Sequence, residues 1–264
     1  MNLAIDIQLS HWFDDEFLKN LRCFVSDELE TICTQGVHDF VICRQDDSAA
    51  GMQLLQKITS TKKTKYLSHQ IDIDQFIKQN QGSFPASKKN LFSQAIGRKT
   101  QTVIDATGGW LGDTLLMCSQ NYHVNVIERH WVLQGFIDEA CQRLEQSQWL
   151  QNNQAPLPEL IKADAVEYFS SQEFDADCIY IDPMFPPKLK RSAAVRKSMQ
   201  VLQELVGQDN NPEKIFEAAY SSNVKRIVVK RPDYAQALDE GLSNIKSATE
   251  TLKGKLVRYD VYIR

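Results

Sequence analysis

The sequence has no apolar run long enough to span a bilayer, no CxxC or HExxH spacing, no internal repeat and no excess of basic residues. Each absence excludes something. A membrane-spanning helix needs about 20 consecutive apolar residues, so none is expected. The first residues, MNLAIDIQLSHWFDDEF, carry early acids and no basic n-region, so a secretory signal is not expected and a cytoplasmic location is. The six cysteines (Cys23, Cys33, Cys43, Cys118, Cys141 and Cys178) are too openly spaced for a zinc knuckle, and the five histidines form no HxH pattern. Buried free thiols are expected, with no metal site. A net charge of −4 and a pI near 5.8 do not suit a generic polyanion binder. A nucleic-acid partner would need a local basic patch.

What is present fits a soluble α/β protein. With 264 residues, 42% of them hydrophobic, the chain can bury one α/β domain with an appendage, or two small domains. Residues 1–81 read as a small α+β unit. Ala4–Ile7 and Phe40–Ile42 look like short strands, Asp15–Thr34 has apolar residues at helical spacing, and a strand is expected over Tyr66–Ile73. Residues 82–99, polar and basic, read as a linker with a short helix. From Thr102 strand and helix alternate, the mark of a parallel sheet with crossover helices. Strands are expected at Val103–Ile104, Val124–Ile127, Leu160–Ile161, Cys178–Ile181, Ile227–Lys230 and Leu256–Ile263. Helices are expected over Thr114–Gln120, Val132–Leu144, Ala193–Val206 and Pro212–Ser221.

Ligands of such sheets sit beyond the carboxyl ends of the strands. Four strands here end in acids: Asp105, Glu128, Asp164 and Asp182. Gly108, Gly109 and Gly112 follow the first strand and allow close backbone approach at the start of a helix. Glu128 stands nineteen residues after Gly109, where an acid can bind ribose hydroxyls. NAD and S-adenosylmethionine both suit that layout. The turn lacks the full G-x-G-x-x-G fingerprint, and the extra acids suit a cationic sulfonium better than a pyrophosphate. Helix capping is the competing reading for these acids, above all for Asp164.

The stretch IDPMFPPK, Ile181–Lys188, is the most distinctive in the chain. Three prolines stiffen a turn that presents Asp182 and Phe185 after an apolar strand. An acceptor and a ring at a strand end suit a flat, amine-bearing base. Lys188, Lys190, Arg191, Arg196 and Lys197 follow with no acid among them and suit phosphates, as do Lys230 and Arg231.

Taken together, VIDATGGWLGDT, VIERH, YIDPMFPPK, VGQD and VVKRPDYA resemble the ribosomal RNA small-subunit methyltransferase J family, from about Thr102 to Arg264. The resemblance implies a class I, Rossmann-like fold and S-adenosylmethionine-dependent methylation of the exocyclic N2 of a guanosine in 16S ribosomal RNA. It implies cofactor contacts at Gly112 and Asp113, Glu128 and Arg129, Asp164 and Ala165, and Asp182. Asp105 and Gly109 join them from the strand-end reading. The family's first motif usually reads DATAGLGRD, so Leu111 stands where Gly is usual and Gly112 where Arg is common. Asp182, the Pro183 carbonyl and Phe185 would act on the base, with the rRNA or the small ribosomal subunit as partner. The alternatives are an amino-methyltransferase acting on adenine, an NAD-dependent oxidoreductase and a non-catalytic RNA-binding module.

Overall fold

The computed structural model describes residues 3–13, 24–26, 39–43, 51–59, 64–80, 84–171, 173–183, 201, 204–205 and 212–264. The chain divides into two compact units, residues 1–79 with 130–151, and residues 80–129 with 152–264.

The first unit is built on a five-stranded sheet: β1 (Leu3–Asp6), β2 (Phe24–Ser26), β3 (Phe40–Cys43), β4 (Gln53–Thr59) and β5 (Thr64–His69). Their order is β2-β1-β3-β4-β5, with β2, β1 and β3 parallel and β3, β4 and β5 antiparallel. Of the helix expected over Asp15–Thr34, the described residues Phe24–Ser26 instead pair with Ala4–Asp6 as a strand. The strand expected over Tyr66–Ile73 stops at His69, and Ile73 instead opens helix α1 (Ile73–Gln79). Two further helices of this unit lie later in the chain, α4 (Trp131–Glu145) and most of α5 (Gln148–Asn153). Gly135 of α4 is fixed by packing: a Cβ there would come within 2.3 Å of the Phe13 ring.

The second unit carries a seven-stranded sheet. Its strands are β6 (Thr102–Asp105), β7 (His123–Glu128), β8 (Glu159–Lys162), β9 (Cys178–Ile181), β10 (Arg226–Pro232), β11 (Glu250–Lys253) and β12 (Val257–Ile263). They run in the order β11-β12-β10-β9-β6-β7-β8, with β12 antiparallel to both of its neighbours and the rest of the ladder parallel. The central strands are buried almost throughout, CIYI of β9 completely, as expected for strands covered on both faces. One face packs against α2 (Leu91–Ile96) and α3 (Gly112–Ser119) through Phe92, Ile96, Met117, Val103, Tyr180 and Tyr259. The other packs against α6 (Ala165–Ser171) and α7 (Pro212–Ser221) through Phe169, Phe216, Ile104, Ile179 and Val229. Phe92 meets the rings of Tyr180 and Tyr259 edge-on, so the basic segment before β6 contributes to this core. This is a doubly wound, Rossmann-like arrangement, as the resemblance implies. The topology reverses between β6 and β9, which places the switch-point crevice at their carboxyl ends.

The expected strands and helices of this unit form within a residue or two of their expected bounds. The exposed edge strand β11 was not expected from the sequence. The helix expected over Ala193–Val206 lies almost wholly outside the described residues.

Candidate active site

The crevice is assembled from the strand ends upward. Asp105, last residue of β6, is buried and accepts from the Thr107 amide at 3.0 Å and the Thr114 hydroxyl at 2.6 Å. Burial pushes its carboxyl up to about 6 against the pull of those hydrogen bonds. Beyond it the chain turns sharply. Gly109 has φ 51° and Leu111 φ 58°, both left-handed, and Leu111 is the N-cap residue of α3 without contributing any side-chain cap. The first amides of α3 are left without a side-chain cap.

The turn is latched to its neighbours. The Gly108 amide donates to the Ile127 carbonyl, and the Gly109 amide to Oε2 of Glu128 at 2.9 Å. A Cβ on Gly112 would meet nothing within 4 Å, so the start of α3 borders open space. Asp182 follows β9; its amide donates to the Thr107 hydroxyl at 2.8 Å, and that hydroxyl lies 3.4 Å from Oδ1 of Asp105. Thr107 thereby joins the ends of β6 and β9.

Three charged groups converge at the same place. The Nζ of Lys230 lies 2.6 Å from Oδ2 of Asp113 and 2.8 Å from Oδ2 of Asp182. The Tyr180 hydroxyl donates to the same Asp113 oxygen at 2.5 Å. Burial, then the neighbouring Asp113, hold the Tyr180 phenol well above its ordinary range, so it remains a donor. Burial raises the Asp182 carboxyl and Lys230 pulls it back, with Asp113 raising it again, to about 7. Burial works to lower the Lys230 ammonium, but the two carboxylates outweigh it and raise it above its usual value. The Oδ1 of Asp182 is buried with no hydrogen-bond partner.

The sequence-expected residues fall into four groups. Asp105, Gly109, Gly112, Asp113, Glu128 and Asp182 all lie at the carboxyl ends of β6, β7 and β9 or in the turn they border, and Pro183 is buried beside Asp182. Asp164 caps α6, its Oδ1 accepting from the Val166 amide at 2.8 Å, while its Oδ2 lies 3.9 Å from Arg129; Ala165 is buried as the first residue of that helix. Phe185, Lys188, Lys190, Arg191, Arg196 and Lys197 lie outside the described residues.

Lys230 and Arg231, read as phosphate contacts, are turned inward. Lys230 is engaged by two carboxylates. Arg231 points to the opposite face of β10, is 5% exposed and donates through Nε to the Gln236 carbonyl. Thr107, Thr114 and Tyr180 were missed. Tyr180 had a signal, since it stands two residues before Asp182 along a strand and so shares its face.

Comparison with known proteins places the chain. A family model described as "Putative SAM-dependent methyltransferase" matches residues 39–264. Ribosomal RNA small subunit methyltransferase J of Photobacterium profundum is 34% identical over 189 residues, covering 69% of this chain and 72% of the relative. The protein of the same name from Hydrogenovibrio crunogenus is 36% identical over 193 residues, 68% of each. The chain belongs to the ribosomal RNA small subunit methyltransferase J family. The fold agrees: a SAM-dependent methyltransferase from Neisseria gonorrhoeae superimposes with a TM-score of 0.62 at 18% identity, covering 100% of this chain and 96% of that one.

As a member of that family the protein is a SAM-dependent methyltransferase, and the crevice fits the cofactor. A backbone turn with uncapped amides, open space at Gly112 and an unpartnered acidic oxygen surround the switch point. A sulfonium cation is suited by acids there. Among the described residues no helix is long and apolar enough to cross a membrane.

Proposed function

We propose that this enzyme transfers the methyl group of S-adenosylmethionine to the exocyclic N2 of a guanosine in 16S ribosomal RNA of the small ribosomal subunit, in the cytoplasm. The names of its relatives support the substrate class. The observation that carries the choice of an amine is the unpartnered Oδ1 of Asp182 at the switch point.

The bound cofactor supplies an electrophilic methyl group. Asp105, Gly109, Gly112, Asp113, Glu128, Arg129, Asp164 and Ala165 would hold it, with Glu128 on the ribose and the turn against the rest. A guanine N2 is a poor nucleophile because its lone pair is delocalised into the ring. An acceptor on its N–H fixes the nitrogen and stabilises the positive charge that develops as the bond forms. Oδ1 of Asp182 fills that role, the Pro183 carbonyl is the second acceptor, and Phe185 stacks on the base. As the N–C bond forms and the S–C bond breaks, N2 releases one proton. Asp182, at about 7, is matched to receive it near neutral pH. Orientation supplies the rest of the rate, with the guanosine presented out of its stack.

Lys188, Lys190, Arg191, Arg196 and Lys197 bind phosphates in this reading. In this reading residues 100–264 carry the chemistry, apart from α4 and most of α5, which belong to the first unit, and residues 82–99 lead into it.

The test is transfer of labelled methyl to ribosomal RNA lacking the modification. Label recovered as N2-methylguanosine in 16S RNA is expected. Label on adenine, or binding of NAD with none of S-adenosylmethionine, would overturn the assignment.

A further inference from the structure

Lys230 is the only described cation within hydrogen-bond distance of either Asp113 or Asp182. Its neighbour Arg231 points to the opposite face of the same strand. The Lys230 side chain is 18% exposed, against 23% and 26% for those of Asp113 and Asp182. A surface phosphate ligand would extend into water. This lysine lies instead across the crevice, joining the first turn of α3 to the reactive turn after β9.

We propose that Lys230 is a positioning residue for methyl transfer, clamping Oδ2 of Asp113 and Oδ2 of Asp182 so that Oδ1 of Asp182 is left as the acceptor for the substrate amine. The inference rests on the guanine-N2 reading for the identity of the amine, but its geometry stands on the described residues alone.

The physical need is plain. Asp113 is near enough to raise the proton affinity of Asp182, and without the cation between them Asp182 would take up a proton. A protonated Asp182 offers a poorer acceptor and no longer receives the proton from N2. Among the described residues, the titratable groups that act on Asp113 and Asp182 are Tyr180 on β9, Lys230 on β10 and Tyr259 on β12, with Asp105 on β6 beside Asp113. Lys230 is the sole cation of the set. Its removal moves Asp182 upward. Removal of the Asp113 charge moves it downward.

Those opposite shifts make the test. Purified full-length wild type, Lys230→Met, Lys230→Arg and Asp113→Asn are assayed for methyl transfer to unmodified ribosomal RNA at saturating cofactor from pH 6 to 9. RNA affinity is measured in parallel at several salt concentrations. In Lys230→Met we expect kcat at pH 7 to fall about 100-fold, with partial recovery at high pH, as the acid limb moves up by about one pH unit or more. RNA affinity should stay within about twofold with an unchanged salt slope. Lys230→Arg should keep the wild-type limb. Asp113→Asn should move the limb down, which serves if Lys230→Met does not fold.

A salt slope reduced by about one with the acid limb unmoved would make Lys230 a phosphate contact and overturn the proposal. So would a limb that stays in place in both Lys230→Met and Asp113→Asn. Wild type that yields a different methylated base would contradict the guanine-N2 reading while the limb shifts still decide the role of Lys230.

Discussion

The amide of Gly109 donates to Oε2 of Glu128 at 2.9 Å, which ties the turn after β6 to the end of β7. A carboxylate that fixes the backbone of one loop also faces the space that loop borders. Glu128 is 7% exposed, and its loss leaves the half-buried Gly109 amide without its acceptor. Glu128→Ala is expected to raise KM for S-adenosylmethionine by about 10- to 100-fold, as a lost charge-assisted hydrogen bond of about 1.5–3 kcal/mol implies. Isothermal calorimetry with the cofactor checks this. Unchanged affinity would remove Glu128 from the cofactor site.

Asp105 makes a prediction about stability and pH. Its folded carboxyl is held at about 6 by burial, above the range near 4 of an exposed Asp. Between those values the folded chain keeps a proton that the unfolded chain has released, so stability falls as pH rises through that window and stays lower above it. Asp105→Asn removes the penalty. At pH 7.5 it should gain at most about 3 kcal/mol, and below pH 4 the gain should vanish. Thermal melts at the two pH values measure it. An equal effect at both would show that ionisation of Asp105 is not opposed by burial.

The capping and cofactor roles of Asp164 can be separated. Its Oδ1 caps α6 through the Val166 amide, a role that Ser fills nearly as well. Asp164→Ala should cost about 1 kcal/mol of stability, and Asp164→Ser much less. If the carboxylate also serves the cofactor, Asp164→Ser will weaken binding while its melting temperature stays near wild type. Wild-type binding in that variant would leave Asp164 as a cap alone.

Leu111 holds φ 58° where the family motif usually has Gly, and its side chain is 1% exposed. Leu111→Gly relieves about 1–2 kcal/mol of left-handed strain. It also gives up a buried leucine, worth about 2–5 kcal/mol with the cavity it leaves. Burial wins, and a net loss of about 1–3 kcal/mol is expected in chemical denaturation. A stabilised variant would show that the strain is the larger effect.

The second unit was legible because its strands are short apolar runs ended by acids, and because the order of strand and helix forces a parallel sheet. Asp105, Glu128, Asp164 and Asp182 could be assigned to strand ends from that pattern, and they lie there. The first unit was less legible. The apolar residues flanking Phe24–Ser26 repeat at helical spacing, yet pairing with β1 makes this segment a strand, a long-range preference that no local spacing records. β4, QLLQKIT, lacks the clean alternation that marks a strand in sequence.

The same limit explains Lys230. As part of VVKRP it reads as one of two adjacent cations. Its partners stand 117 and 48 residues away in sequence, and only the sheet order brings them to it. Tyr180 was hidden in the interior of a strand, where a tyrosine is ordinarily core.

The central claim is that Asp182 presents an acceptor to a guanine amine. Mass spectrometry of 16S ribosomal RNA from a strain lacking this protein, complemented with wild type or with Asp182→Asn, tests it directly. The account predicts one N2-methylguanosine present with wild type and absent, or reduced by at least about 100-fold in rate, with Asp182→Asn of normal melting temperature. Full N2-methylation with Asp182→Asn, or a complement of modifications identical with and without the protein, would contradict it.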